Sequence, residues 1–247
     1  MTDRFQAALF DFGGTLFSYR RVGAEAIDLV RRGAERLGVE SELATLGKAY
    51  REASRAAYEA FGRRPFYLHR DLFQDTFRRF AAQLGTSATP ELLDWYYEEQ
   101  RVLLLEGFEL REGCIEILQS LRDQGLHVGV VSNIDDDYLV PMLERAGLSH
   151  VLDAWTSSEE AASCKPDPGI FKHALRKADA CPEDVLFVGD SREHDVTGAR
   201  RLGMTTVLIQ EAGAIAPGAG VGEAGEPHHV IESLSEVVPI LRRLQAR

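Results

Sequence analysis

With 247 residues, 45% of them hydrophobic and 27% charged, the chain has the make-up of an ordinary globular protein with material for one enlarged domain or two. Its formal net charge of −11 would repel a phosphate backbone, and no basic patch is large enough to overcome it; no apolar run approaches the roughly 18 residues that cross a bilayer. Nucleic-acid and membrane partners are therefore excluded, and three scattered cysteines, Cys114, Cys164 and Cys181, form neither a disulfide framework nor a C-x-x-C metal pair, so a reducing cytoplasm is the expected location.

The first predicted element is a strand. An apolar run from Phe5 to Phe10, with Gln6 its one polar residue, stops on a single carboxylate, Asp11, and Phe12-Gly13-Gly14-Thr15 follows as a tight polar turn. In an open α/β sheet ligands bind at the carboxyl ends of strands, and paired glycines let backbone amides approach an anion closely. An ordinary Asp-Gly turn accounts for the same residues.

Four helical patterns come next, over 22–37, 41–61, 69–84 and 90–105, separated by Gly38, by Gly62-Arg63-Arg64-Pro65 and by Gly85-Thr86-Ser87. Thr89-Pro90-Glu91 is a fitting start for the fourth, with a capping hydroxyl and proline at the first helical position. Acidic and basic residues balance over this stretch, so the excess acid lies elsewhere. Arg63, Arg64, His69 and Arg70 concentrate basic groups beside Phe66 and Tyr67. They read either as a solvated inter-helix loop or as a grip for an anionic or ring-bearing substrate.

After Gly107 the pattern alternates. Helices are predicted over 112–124, 138–146, 168–178 and 193–202, and strands over 126–131, 151–155, 185–188 and 205–209. Such βα alternation makes a parallel sheet. The first strand precedes it by more than a hundred residues, so the helical block is an insertion: residues 1–17 and 107–247 form an α/β core and 18–106 a separate helical domain. The stretch 213–225, rich in glycine, alanine and proline, reads as a flexible surface loop; His228 to Ile231 is an edge strand, and a closing helix starts at the cap Ser233. Asp135-Asp136-Asp137 is assigned to capping and dipole complementarity, Trp95, Tyr96 and Tyr97 to packing, and His194 either to the edge of the site or to covering a helix start.

Strand ends thus collect Asp11, Ser132-Asn133 and Asp190 with Asp195, and one lysine, Lys165, stands between Cys164 and the proline-stiffened Pro166-Asp167-Pro168. Asp11-Phe12-Gly13-Gly14-Thr15, Val130-Val131-Ser132-Asn133, Lys165-Pro166-Asp167-Pro168 and Gly189-Asp190 through Asp195, in this order, resemble the four motifs of the haloacid dehalogenase superfamily, in the branch whose helical cap follows the first motif. The resemblance covers nearly the whole chain. It implies a Rossmann-like parallel-sheet core with a four-helix cap, and a hydrolase with Mg²⁺ as cofactor. The metal would be held by Asp11, the backbone carbonyl of Gly13 and Asp190, with Asp195 close by or acting through water. Asp11 would be the nucleophile of a phosphatase working through an aspartyl-phosphate, with Ser132, Asn133 and Lys165 completing the catalytic set and Gly14 and Thr15 on the substrate side.

The chain departs from the phosphatase pattern D-x-D, because Gly13 stands where the general acid/base belongs. A carbonyl there still suits a metal, but a proton donor typically worth about 10² to 10⁴ in rate is missing. The expected substrate is a small phosphorylated or anionic molecule with a good leaving group, turned over by a monomer or homodimer. Two alternatives stand beside this reading: a dehalogenase- or phosphonatase-like hydrolase of C–X or C–P bonds, and a catalytically weak binding or regulatory protein.

Overall fold

The computed structural model describes residues 5–18, 22–210 and 225–246. The chain divides into two compact units, 1–19 with 109–247, and 20–108. No helix among the described residues is long and apolar enough to cross a membrane.

The first unit is a six-stranded parallel sheet flanked by helices. Its strands are β1 (Ala7–Phe10), β4 (His127–Ser132), β5 (Ala154–Ser157), β6 (Val185–Gly189), β7 (Thr205–Ile209) and β8 (His229–Ile231), in the spatial order β5-β4-β1-β6-β7-β8. A strand central to a parallel sheet is buried on both faces, which is why β1 is uniformly apolar. Phe10 lies opposite Val130 of β4 and Val188 of β6, so all three strands reach the same sheet edge together. The helices of this unit are α5 (Cys114–Asp123), α6 (Asp136–Arg145), α7 (Ser158–Ala161), α8 (Pro168–Ala178), α9 (Gly198–Leu202) and α10 (Val237–Gln245). Ile170 and Phe171 of α8 are fully buried with Leu9, Val185 and Phe187, and the Phe171 and Phe187 rings meet edge-on at 5.2 Å. A two-residue antiparallel pair, β2 (Phe17–Ser18) with β3 (Glu109–Leu110), is too short to have left a periodic signal.

The second unit holds α1 (Val22–Arg36), α2 (Leu43–Phe61), α3 (His69–Gln83) and α4 (Pro90–Gly107), close to the expected helices. Thr89 caps α4 as expected, accepting from Leu92 N–H at 3.4 Å. Tyr96 and Tyr97 are fully buried, and Tyr96 stacks on Phe77 at 4.4 Å, in keeping with a packing role.

Several elements differ from the sequence reading. The strand expected over 151–155 is displaced to Ala154–Ser157, because Leu148, Val151 and Leu152 are buried in and beside a short 3-10 turn, and the Asp153 carboxylate takes the Val128 N–H at 2.9 Å. The helix expected over 193–202 is broken into a π-helical turn, Arg192–Thr197, and α9. α6 begins two residues early, and its first N–H, that of Asp136, goes to Glu159 Oε2 at 2.8 Å; Asp135 occupies the cap position without a capping bond from its side chain. Ser233 does cap, in a reciprocal box with Glu236. The loop expected over 213–225 lies outside the described residues except for Gly225.

Replacing Phe77 with alanine removes a fully buried ring and should cost about 3–5 kcal/mol in denaturant unfolding, whereas Val230→Ala, half exposed on the edge strand, should change stability by less than about 0.5 kcal/mol.

Candidate active site

Asp11, Ser132, Asp190 and Asp195 are each fixed by the end of a strand or by the turn after it. Asp11 follows β1, and its backbone N–H donates to Val188 O of β6 at 2.8 Å, so the ladder that builds the sheet also sets this carboxylate. Ser132 is the last residue of β4 and is buried. Asp190 follows β6 directly. Asp195 comes from the π-helical turn, where the N–H groups of Asp195 and Val196 both reach Ser191 O and the Asp195 carboxylate takes the Ser191 N–H at 2.9 Å.

Lys165 brings these pieces to one point. Its ammonium donates to Asp11 Oδ1 at 2.5 Å, to Asp195 Oδ1 at 2.6 Å and to Val131 O at 3.0 Å, with the side chain 3% exposed. All three ammonium hydrogens are thereby used. The Lys165 main chain is held as firmly: Asn133 Oδ1 accepts its N–H at 2.6 Å, and Asn133 Nδ2 donates to its carbonyl at 2.9 Å. The Lys165–Pro166 bond is cis. Asn133, expected in the catalytic set, therefore has its amide committed to the backbone beneath Lys165 in this structure.

Two glycines are required by close approach. Gly14 has φ +79°, and a Cβ there would lie 2.1 Å from Asp190 Oδ2; at Gly189 a Cβ would lie 2.4 Å from the Asp195 carboxylate. Gly13 is not among the positive-φ glycines, so its backbone conformation does not itself require glycine. Thr15 Oγ1 donates to Asp11 Oδ2 at 3.3 Å. Arg63 and Arg64 lie between α2 and α3 in the helical unit, both exposed, with the Arg64 guanidinium 4.3 Å from the Phe61 ring centre.

The carboxylates repel one another in a nearly dry place. Burial raises Asp11 most, Lys165 pulls it back and Asp195 pushes it up again, leaving it at about 6. Asp190 is pushed up to about 8, first by burial and then by the Asp11 and Asp195 charges. Burial alone would lower Lys165, but the same two carboxylates outweigh it and hold the ammonium above its ordinary range. Asp11, Asp190 and Asp195 each offer an oxygen within 4.8 Å of the others. Hard oxygen donors, converging and short of positive charge, fit a divalent cation such as Mg²⁺.

Two groups at this site were not assigned from the sequence. The Arg111 guanidinium donates to Gly14 O at 2.5 Å and its N–H to Leu16 O at 2.8 Å, securing the turn after Asp11 from a point 97 residues away. No local pattern marks such a partner. His194, left open between two roles, places Nδ1 3.0 Å from Lys165 O while its backbone N–H donates to Ser191 Oγ.

Comparison with known proteins identifies the family. Residues 5–203 match the family model for haloacid dehalogenase-like hydrolases. Over 99% of its length the chain is 31% identical to haloacid dehalogenase-like hydrolase domain-containing protein 3 of Bos taurus, covering 98% of that protein. It is 26% identical to the ribulose-1,5-bisphosphate 5-phosphatase of Halopiger xanaduensis, over 95% of this chain and 98% of that one. Among solved structures, the HAD-hydrolase YfnB of Bacillus subtilis, bound to magnesium, superposes with a TM-score of 0.74 at 22% identity, covering 96% of this chain and 99% of its own. The ordered strand-end residues and these matches together place the chain in the family of haloacid dehalogenase-like hydrolases.

Proposed function

We propose that the protein is a Mg²⁺-dependent phosphatase in which Asp11 is the nucleophile. The observation that carries this reading is the cluster, among the described residues, in which Asp11, Asp190 and Asp195 converge and Lys165 binds two of them. A phosphatase relative, matched over nearly its full length, supports the same chemistry. The cation, held by Asp11, Asp190 and the Gly13 carbonyl with Asp195 nearby, would supply positive charge that offsets the carboxylates and the phosphoryl oxygens.

Asp11 presents an oxygen whose position is fixed by the β1–β6 ladder, and its attack on phosphorus breaks the bond to the leaving oxygen and forms an aspartyl-phosphate. Lys165 keeps Asp11 ionised in a buried place and, by exchanging one hydrogen bond, takes up charge on the equatorial phosphoryl oxygens; Ser132 and the Gly14 and Thr15 backbone assist there. Water then cleaves the phosphorus–oxygen bond and restores the Asp11 carboxylate. Gly13 offers no proton to the departing oxygen, so leaving groups that depart as stable anions are favoured: aryl and acyl phosphates or phosphoanhydrides over sugar alkoxides. We assign substrate choice to the helical unit, with Arg63 and Arg64 as its contribution of positive charge.

Rapid mixing with p-nitrophenyl phosphate and Mg²⁺ should give a burst of about one equivalent of nitrophenol followed by slow turnover, with no burst in Asp11→Asn. Gly13→Asp should raise steady turnover of an alkyl phosphate by about tenfold or more, as a restored acid/base would. A protein that binds Mg²⁺ yet releases no nitrophenol in either form would reject the phosphatase reading.

A carboxyl held near 8 in the folded, metal-free protein keeps a proton that the unfolded chain, titrating near 3.8, has already released. The Asp190 contribution to stability is therefore fully present below pH 4 and is lost as pH rises through about 8. Denaturant unfolding in a chelator, compared with Asp190→Asn across this range, should show the natural protein losing stability relative to the variant as pH rises. Added Mg²⁺ should stabilise the natural protein more at pH 8.5 than at pH 6.

Exchanging Arg63 and Arg64 for alanine should raise KM for an anionic substrate severalfold while leaving kcat within about twofold. An unchanged KM would remove both arginines from substrate binding.

A further inference from the structure

The site holds Lys165 at every one of its polar atoms. The ammonium spends its three hydrogens on Asp11, Asp195 and Val131 O, and Asn133 takes the main-chain N–H. The Lys165 carbonyl accepts twice, from Asn133 Nδ2 at 2.9 Å and from His194 Nδ1 at 3.0 Å, which fills both of its lone pairs. A carbonyl only accepts, so this bond requires the hydrogen of His194 to be on Nδ1.

His194 and Asp195 are adjacent, and both grip the same residue. Asp195 takes the ammonium end and His194 the main-chain end. In an α-helix neighbouring side chains diverge by about 100°. Here the π-helical turn, with Ser191 Oγ capping the His194 N–H at 3.1 Å, sets both toward Lys165. Single π turns are frequent at functional sites.

We infer that His194 is a positioning residue, whose Nδ1 hydrogen bond fixes the Lys165 backbone while the Lys165 ammonium changes partners during phosphoryl transfer. The inference rests on the phosphatase reading for its kinetic consequence, though not for the clamp itself. An ammonium with no free hydrogen can serve an incoming phosphoryl oxygen only by giving up a bond it already makes. Fixing the main chain lets Nζ pivot over a short arc without the loop following it.

The stereochemistry provides a direct test. Histidine Nδ1 and asparagine Nδ2 sit at the same branch point, so His194→Asn retains a donor without the ring, whereas His194→Phe retains the ring without the donor. With p-nitrophenyl phosphate and Mg²⁺, His194→Phe should lower kcat by about three- to tenfold, the range of one neutral hydrogen bond, with KM within about twofold; His194→Asn should restore most of the loss. Hydrogen exchange supplies a readout independent of turnover. Pro166 and Pro168 have no amide hydrogen, so segment 164–169 reports mainly Lys165, Asp167 and Gly169. It should exchange several-fold faster in His194→Phe and at the natural rate in His194→Asn. His194→Ala takes the place of the Phe variant if that ring lowers the unfolding midpoint.

Natural kcat and natural exchange in His194→Phe, or an Asn variant as impaired as the Phe variant, would overturn the inference. If the natural protein has no Asp11-dependent turnover, the phosphatase reading fails, and the exchange rates alone decide whether His194 clamps Lys165.

Discussion

The site depends on one buried ammonium between two carboxylates. Lys165 bonds Asp11 at 2.5 Å and Asp195 at 2.6 Å, where almost no water reaches. Breaking such a pair by removing one partner strands a charge in a low-dielectric place and typically costs several kcal/mol, although the intact pair adds little to stability by itself. Its effect is to decide protonation. Lys165 draws Asp11 down against burial, whereas at Asp190 its pull is weaker than the repulsion of the neighbouring carboxylates, and that carboxyl is pushed up to about 8. One lysine facing three carboxylates leaves negative charge in excess, and that excess makes the place suited to a hard cation.

The geometry is inherited from the sheet. β1 lies between β4 and β6, so the residues that leave these strands emerge side by side. The turns then refine the positions by close approach: Gly14 lets Asp190 lie against the first turn, and Gly189 makes room for Asp195. Arg111 holds the first turn from outside through Gly14 O and Leu16 O, and Asn133 and His194 hold the loop of Lys165. Reacting groups are thus carried on strand ends, with their supports drawn from other parts of the chain, an arrangement that favours precise placement over local flexibility.

The helical unit follows a different rule. Its core sets aromatic rings among leucine and alanine side chains, with Phe77 stacked on Tyr96 and Tyr50 bonded through its hydroxyl to that of Tyr96 at 2.5 Å. Around it, cations lie on ring faces, Arg36 over Trp95 and Arg70 over Tyr97. Tyr96 and Tyr97 are buried in that packing, whereas Arg63 and Arg64 belong to the unit's exposed surface, which carries acidic residues as well.

Much of this was legible in the sequence, because periodicity and punctuation are local. The apolar run before Asp11 marked a strand, glycine and proline bounded the four helices, and Thr89 and Ser233 cap where a hydroxyl before a helix should. The ordered motifs named Asp11, Lys165, Asp190 and Asp195 as one set. The sequence could not reveal how the set is held. That Asn133 serves the Lys165 backbone, that a π turn aims His194 and Asp195 together, that Glu159 receives the first N–H of α6, and that Arg111 secures Gly14 all depend on pairs distant in the chain. By itself the sequence determined which residues end the strands, since burial and turn chemistry act on neighbours. Only the tertiary structure decided which partner each charge meets and at what pKa, because those follow from distances that the folded sheet alone establishes.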